Sequence, residues 1–131
     1  MHTQGSVLLV DDDESLTRVI AELLRSKGFG VWTADNGLRG YTAYLRHPTE
    51  FVVTDIQMPE LNGIEMMRCI RAINSAVKAI YTSGGLDRFS AELKVEEREF
   101  AAVVLIKPFS SRDLLKAMTG PTTQKVKYRS L

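Results

Sequence analysis

At 131 residues the chain has the length of one domain, enough to bury roughly two-thirds of the surface its unfolded form exposes, with no room for a second packed unit. An apolar fraction of 44% beside 25% charged residues is ordinary globular composition, far from that of chains that stay disordered. The formal charge of +1, from 17 Lys and Arg against 16 Asp and Glu, gives no global argument for nucleic acid or an anionic membrane. A single cysteine, Cys69, excludes an internal disulfide and a thiolate zinc cluster, and favours a reducing cytoplasm. Met1 to Ser6 lacks the basic and apolar halves of a signal peptide, and no apolar run approaches the ~18 to 20 residues of a membrane span.

Taken in chain order, short apolar runs alternate five times with amphipathic ones. Val7 to Val10 is a uniformly apolar run of the type buried on both faces of a parallel sheet. Asp11-Asp12-Asp13-Glu14 follows, with Asp13 placed to cap a helix carrying Leu16, Val19, Ile20, Leu23 and Leu24 at helical spacing; Gly28 is its stop. Val31 to Ala34 precedes a helical stretch from Leu38 to Arg46. Phe51 to Thr54 leads into Asp55 and a Pro59/Gly63 loop before a helix from Ile64 to Ile73. Val77 to Thr82 runs into Ser83-Gly84-Gly85 and a weak helix from Phe89 to Glu99. Ala101 to Ile106 meets Lys107-Pro108-Phe109, after which Ser110 or Ser111 can cap a helix bearing Leu114, Leu115 and Met118. Five such units predict an α/β fold, a parallel sheet with helices on both faces, over residues 1–118. Gly120-Pro121 ends the pattern, and residues 119–131 read as a basic C-terminal tail or linker: Lys125, Lys127 and Arg129 stand there with no acid, so the rest of the chain is net acidic.

The polar residues fall where the strands end. Asp11 and Asp12 end the first strand, Asp55 the third, Ser83 the fourth and Lys107 the fifth, all on the carboxyl edge where open parallel sheets place their ligands. Any one of them alone reads as loop polarity or a cap; four strands aimed at one place do not. Three carboxylates within a few ångströms repel, each pair by roughly 4 kcal/mol at about 4 Å and an effective dielectric near 20. Lys107 is one source of compensating charge. A divalent cation is the other, and hard oxygen donors without a nearby His or thiol select Mg2+, which takes one or two carboxylates, waters and a phosphate oxygen. A carboxylate can itself accept a phosphoryl group, and in-line transfer to Asp55 puts charge on oxygens that the cation, Lys107 and the Ser83 hydroxyl can stabilise.

The strings VLLVDDDES, VVTDIQMPELNGIEMM, AIYTSGG and VVLIKPFS resemble, in order and spacing, the landmarks of a two-component response-regulator receiver domain over roughly residues 6 to 118. The resemblance implies a flavodoxin-like (βα)5 fold with a doubly wound sheet of order 2-1-3-4-5. It implies that Asp55 is the phosphoacceptor and that Asp12 and Asp55 hold Mg2+ directly. Asp11 would hold the metal through water, and Gln57 would lend its backbone carbonyl. Ser83 stands at the hydroxyl position, with Thr82 as a register alternative, and Lys107 at that of the phosphate-pairing lysine, ahead of a Lys107–Pro108 bond that is commonly cis in the family. The implied function is a phosphoacceptor signalling switch, charged by a sensor histidine kinase or histidine phosphotransfer domain and reset by slow self-hydrolysis. The output would be an unknown partner or a covalently attached effector, with no direct nucleic-acid binding.

Two alternatives are weaker. Asp11-x-Asp13 and AIYTSGG also resemble motifs of haloacid-dehalogenase-type phosphatases, with Asp11 as nucleophile and Asp13 as acid/base. Only Asp113 remains for the further acidic pair those enzymes need, and Asp55-Ile-Gln-Met-Pro is left unexplained. A receiver-like interaction module without phosphorylation conflicts with the complete chemical set. One departure stands out: where many receivers carry Tyr or Phe three residues before the lysine, this chain has Val104, and Phe100, Ala102 and Val103 replace the usual Gly and small polar residues. A different transmission route is expected, through the Gly84-Gly85 loop and the helix after it. Among lesser features, Met66, Met67 and Trp32 read as packing, Cys69 as a small buried side chain, and His2 and His47 as too isolated to bind metal.

Overall fold

The computed structural model describes residues 4–85 and 87–120, and in it all five predicted strand–helix units form. They are β1 (Gly5–Val10), α1 (Glu14–Ser26), β2 (Phe29–Ala34), α2 (Gly37–Arg46), β3 (Phe51–Asp55), α3 (Gly63–Ile73), β4 (Lys78–Ser83), α4 (Ser90–Phe100), β5 (Val103–Ile106) and α5 (Ser111–Thr119). A short 3-10 helix, Asp87–Phe89, leads into α4. The strands are all parallel and lie in the order β2-β1-β3-β4-β5, as the resemblance implied.

Strand side chains alternate between two cores, the signature of a sheet covered on both faces. Leu8, Val10, Val52, Ala79, Tyr81 and Val104 pack with Tyr44 of α2, Ile64, Met66, Met67 and Ile70 of α3 and Leu93 of α4. Val7, Leu9, Val53, Ile80 and Leu105 pack on the other side with Ile20, Ala21 and Leu24 of α1 and Leu114 and Met118 of α5. Helix ends follow the sequence signals. The Asp13 carboxylate accepts from the Leu16 N–H, and Gly28 takes φ 96° just beyond α1, a conformation that only glycine adopts cheaply. Asn62 with Glu65 and Ser110 with Asp113 close capping boxes on α3 and α5.

Some expectations shift. β1 and β2 begin two residues earlier than the apolar runs, because Gly5 and Ser6 pair with Phe29 and Gly30. β5 begins at Val103, because Ala101 is the C-cap of α4 in the left-handed region (φ 55°). Cys69, expected to be buried, is exposed: α3 buries Met66, Met67, Ile70 and Arg71, and Cys69 lies on the opposite side of that helix. Trp32 stacks on His47 with ring centroids 5.2 Å apart, so both have a packing role. The expected tail bases Lys125, Lys127 and Arg129, with His2 and Pro121, lie outside the described residues; α5 itself runs through Thr119.

Candidate phosphoacceptor site at the carboxyl edge

Asp11, Asp12, Asp55, Ser83 and Lys107 all sit at the carboxyl edge of the sheet, on or directly after β1, β3, β4 and β5. β1 and β3 are neighbours in register, Val10 against Thr54, which sets Asp11 beside Asp55. Asp11, Asp12 and Asp55 each offer a carboxylate oxygen, and these atoms lie within 4.8 Å of one another. Lys107 Nζ reaches across from β5, 3.0 Å from Asp11 Oδ2 and 3.5 Å from Asp55 Oδ2.

Two of the acids are fixed by their own loops. Asp11 is buried and accepts from the Asp13 N–H at 2.9 Å, while Asp55 accepts from the Ile56 N–H at 2.9 Å. Asp12 is exposed and open toward solvent. Behind Asp55, the start of α3 comes so close that a Cβ on Gly63 would stand 2.2 Å from the Asp55 carbonyl oxygen; the glycine lets the helix N-terminus back directly onto the acid. Gln57 lies in the β3–α3 loop with an exposed side chain, where it lines an open cleft with Met58, Pro59 and Arg88.

The charges are under tension. Burial pushes the Asp55 carboxyl above its ordinary value, Lys107 opposes that, and the Asp11 charge adds to it, with the Ile56 N–H pulling down. For Lys107, burial works to lower the ammonium, but the hydrogen bond to Asp11 and the charges of Asp55 and Asp11 prevail, so it is raised and stays charged. Hard carboxylate oxygens with one charged lysine and no nitrogen or sulfur donor among them suit Mg2+, and the group fits these residues on that chemistry.

Ser83, the last residue of β4, is buried, and its hydroxyl donates to the Gly85 carbonyl at 2.6 Å, so it is engaged locally. Thr82, the register alternative, is equally buried and is the Cα partner of Asp55. The Lys107 N–H donates to the Ser83 carbonyl at 2.8 Å, and the Lys107–Pro108 bond is cis. Asp13, the acid/base of the phosphatase alternative, is occupied in capping α1.

A family model described as the response regulator receiver domain matches residues 7–119. The chain belongs to the response regulator receiver domain family. This receiver is 38% identical over 114 residues to the transcriptional regulatory protein CpxR homolog of Haemophilus influenzae, covering 85% of this chain and 47% of that protein. It is 33% identical over 111 residues to the response regulator receiver protein CpdR of Brucella abortus, covering 83% of this chain and 89% of that one. The receiver thus spans about half the length of the first relative and most of the second. Among solved structures it is similar to a receiver domain protein from Clostridium thermocellum, with TM-score 0.75 and 29% identity over 86% of this chain and 90% of that one. It shares its fold with a CheY-like receiver domain from Methanospirillum hungatei, with TM-score 0.78 and 23% identity over 90% and 93% of the two chains.

The sequence does not announce a second polar cluster, which lies under α4. Arg71, Tyr81 and Glu96 are all buried, and the Glu96 carboxylate accepts from both of the others. A glutamate in the middle of a weakly amphipathic helix reads as solvated; its one sequence signal is its place three residues after Leu93, the helix's buried leucine.

Proposed function

We propose that this receiver works as a phosphoacceptor switch with Asp55 as the acceptor. The observation that carries the reading is Lys107 Nζ held between Asp11 and Asp55 at 3.0 and 3.5 Å, which leaves an acid of raised proton affinity beside a fixed cation. A phosphohistidine of a sensor kinase or phosphotransfer domain is the donor proposed. An Asp55 carboxylate oxygen attacks phosphorus, the phosphorus–nitrogen bond breaks, and its electron pair returns to the departing imidazole. Lys107 stabilises charge on the transferred group, and the Ser83 hydroxyl is the nearby donor on β4. Asp11, Asp12 and Asp55 would hold Mg2+, with the Gln57 carbonyl as a further oxygen; when bound, the ion supplies charge neutralisation for the transferring phosphoryl group.

A donor has to approach the carboxyl edge. There, an apolar groove of about 470 Å³ lined by Leu16, Val19, Ile20, Phe109 and Leu114 runs up to Lys107 and Pro108, and it supports the reading of a docked protein partner. Among the described residues no helix is long and apolar enough to cross a membrane. The residues after Gly120 are proposed as a linker on their composition, and the output partner or attached effector is left to the protein in which the receiver acts.

The test is direct. Intact mass after incubation with acetyl phosphate and magnesium should show one added phosphoryl group in the wild type and none in Asp55→Ala. An unchanged wild-type mass would remove the reading in favour of a module that only binds.

A further inference from the structure

α4 is seated by charge more than by an apolar face. Of its residues only Leu93 and Glu96 are buried, and its N-cap residue, Phe89, makes no side-chain cap bond. Glu96 is tied to two other elements: Arg71 of α3 donates through Nη1 to Oε2 at 3.1 Å and through Nη2 to Oε1, and the Tyr81 hydroxyl of β4 donates to that same Oε1. Phe100, at the end of α4, lies against the Arg71 guanidinium, whose carbon is 3.9 Å from the ring centroid. One carboxylate therefore joins α3, α4 and β4, and among the described residues the buried Arg71 Nε has no partner. A polar core with a spare donor and one shared acceptor oxygen is sensitive to small displacements, because its hydrogen bonds are directional.

Tyr81 connects this cluster to the phosphoacceptor edge. It stands two residues before Ser83 on β4, so the two side chains leave the strand on the same face. Its Cα partner on β5 is Val104, a fully aliphatic residue with no polar group to reorient.

We propose that the Tyr81–Glu96–Arg71 cluster is the transmission element of this receiver: when the Ser83 hydroxyl exchanges its Gly85 partner for a phosphoryl oxygen on Asp55, the Tyr81 hydroxyl bond to Glu96 carries the change from β4 to α4. The inference rests on the phosphoacceptor reading and names the route out of that site. It assigns to β4 and α4 what a valine on β5 cannot do.

Hydrogen exchange of the α4 amides, followed by mass spectrometry with and without acetyl phosphate and magnesium, tests the route, with intact mass read on the same samples. In the wild type, phosphorylation should change α4 exchange by about fivefold or more. In Tyr81→Phe, which keeps the ring and loses only the hydroxyl, the phosphoryl group should still be gained while the α4 response disappears. The same loss is expected in Glu96→Gln, which keeps the shape but cannot accept from Arg71 and Tyr81 on both oxygens, so the comparison survives a poorly folding variant. A phosphorylated wild type with unchanged α4 exchange, or a Tyr81→Phe protein that responds as the wild type does, overturns the route and leaves the acceptor intact. A wild type that gains no phosphoryl group overturns both.

Discussion

The backbone at Gly63 presses so closely on the carbonyl of Asp55 that a methyl group added there would stand 2.2 Å from the oxygen and 3.1 Å from the Thr54 hydroxyl. The obstacle is backbone, which cannot swing away as a side chain can. Gly63→Ala is expected to cost about 1–3 kcal/mol, the range of core overpacking, and to slow phosphoryl uptake by displacing Asp55. Gly84→Ala makes the control, since an added Cβ there meets nothing within 4 Å. Urea midpoints and uptake rates of the two variants should separate clearly.

Asp55 predicts a stability gain from its own removal. Its folded value is raised above the ordinary 3.8, chiefly by burial, so the native state holds the proton more tightly than the unfolded chain does. That contribution is fully present below 3.8 and is lost as pH rises through the folded value, leaving the ionised acid as a cost at neutral pH. Without divalent cations, Asp55→Asn should therefore melt higher than the wild type at pH 7. The advantage should shrink as pH falls toward 3.8, and added magnesium should close the gap by stabilising the wild type more.

Lys107 is the fixed cation of the site. Lys107→Ala leaves Asp11 and Asp55 facing each other without it, and phosphoryl uptake from acetyl phosphate should fall by about a hundredfold, as for loss of one oxyanion-stabilising donor. Lys107→Arg should recover only part of the rate, because a planar fork replaces a compact ammonium at 3.0 Å from Asp11. Stopped-flow uptake across the three proteins checks the ordering.

Glu96 belongs to an ion pair whose side chains are 6% and 4% exposed, so its removal strands a buried guanidinium. Glu96→Ala should cost about 3–5 kcal/mol in denaturant unfolding. The triple variant Arg71→Met, Tyr81→Phe and Glu96→Leu should recover most of that loss, since it removes both charges and the hydroxyl that Glu96 accepts from, and keeps the volume. Recovery under a third of the loss would mean that packing, not the stranded charge, sets the cost.

The fold and the site's edge were legible because each depends on short, local signals. Four-residue apolar runs such as Val7 to Val10 mark strands buried on both faces, and the acids, Ser83 and Lys107 that end them share one edge by topology alone. What escaped was long-range. That Gly5 and Ser6 extend β1 depends on partners over twenty residues away in β2, and that Cys69 faces out while Arg71 faces in depends on where α4 lands. The Tyr81–Glu96–Arg71 cluster joins residues 10 to 25 positions apart whose types, taken singly, suggest a solvated helix and a core strand.

The bond from the Ser83 hydroxyl to the Gly85 carbonyl has a consequence for how silent the switch is at rest. A hydroxyl already satisfied at 2.6 Å does not gain a partner when a phosphoryl oxygen arrives; it trades a neutral acceptor for a charged one, a net gain of about 1–2 kcal/mol. Before any phosphoryl group is present the same hydroxyl has nothing to trade for, so the bond holds it in the resting arrangement. The Ser83–Gly85 bond is thereby a latch that keeps the unstimulated pathway quiet and sets the threshold a signal has to exceed.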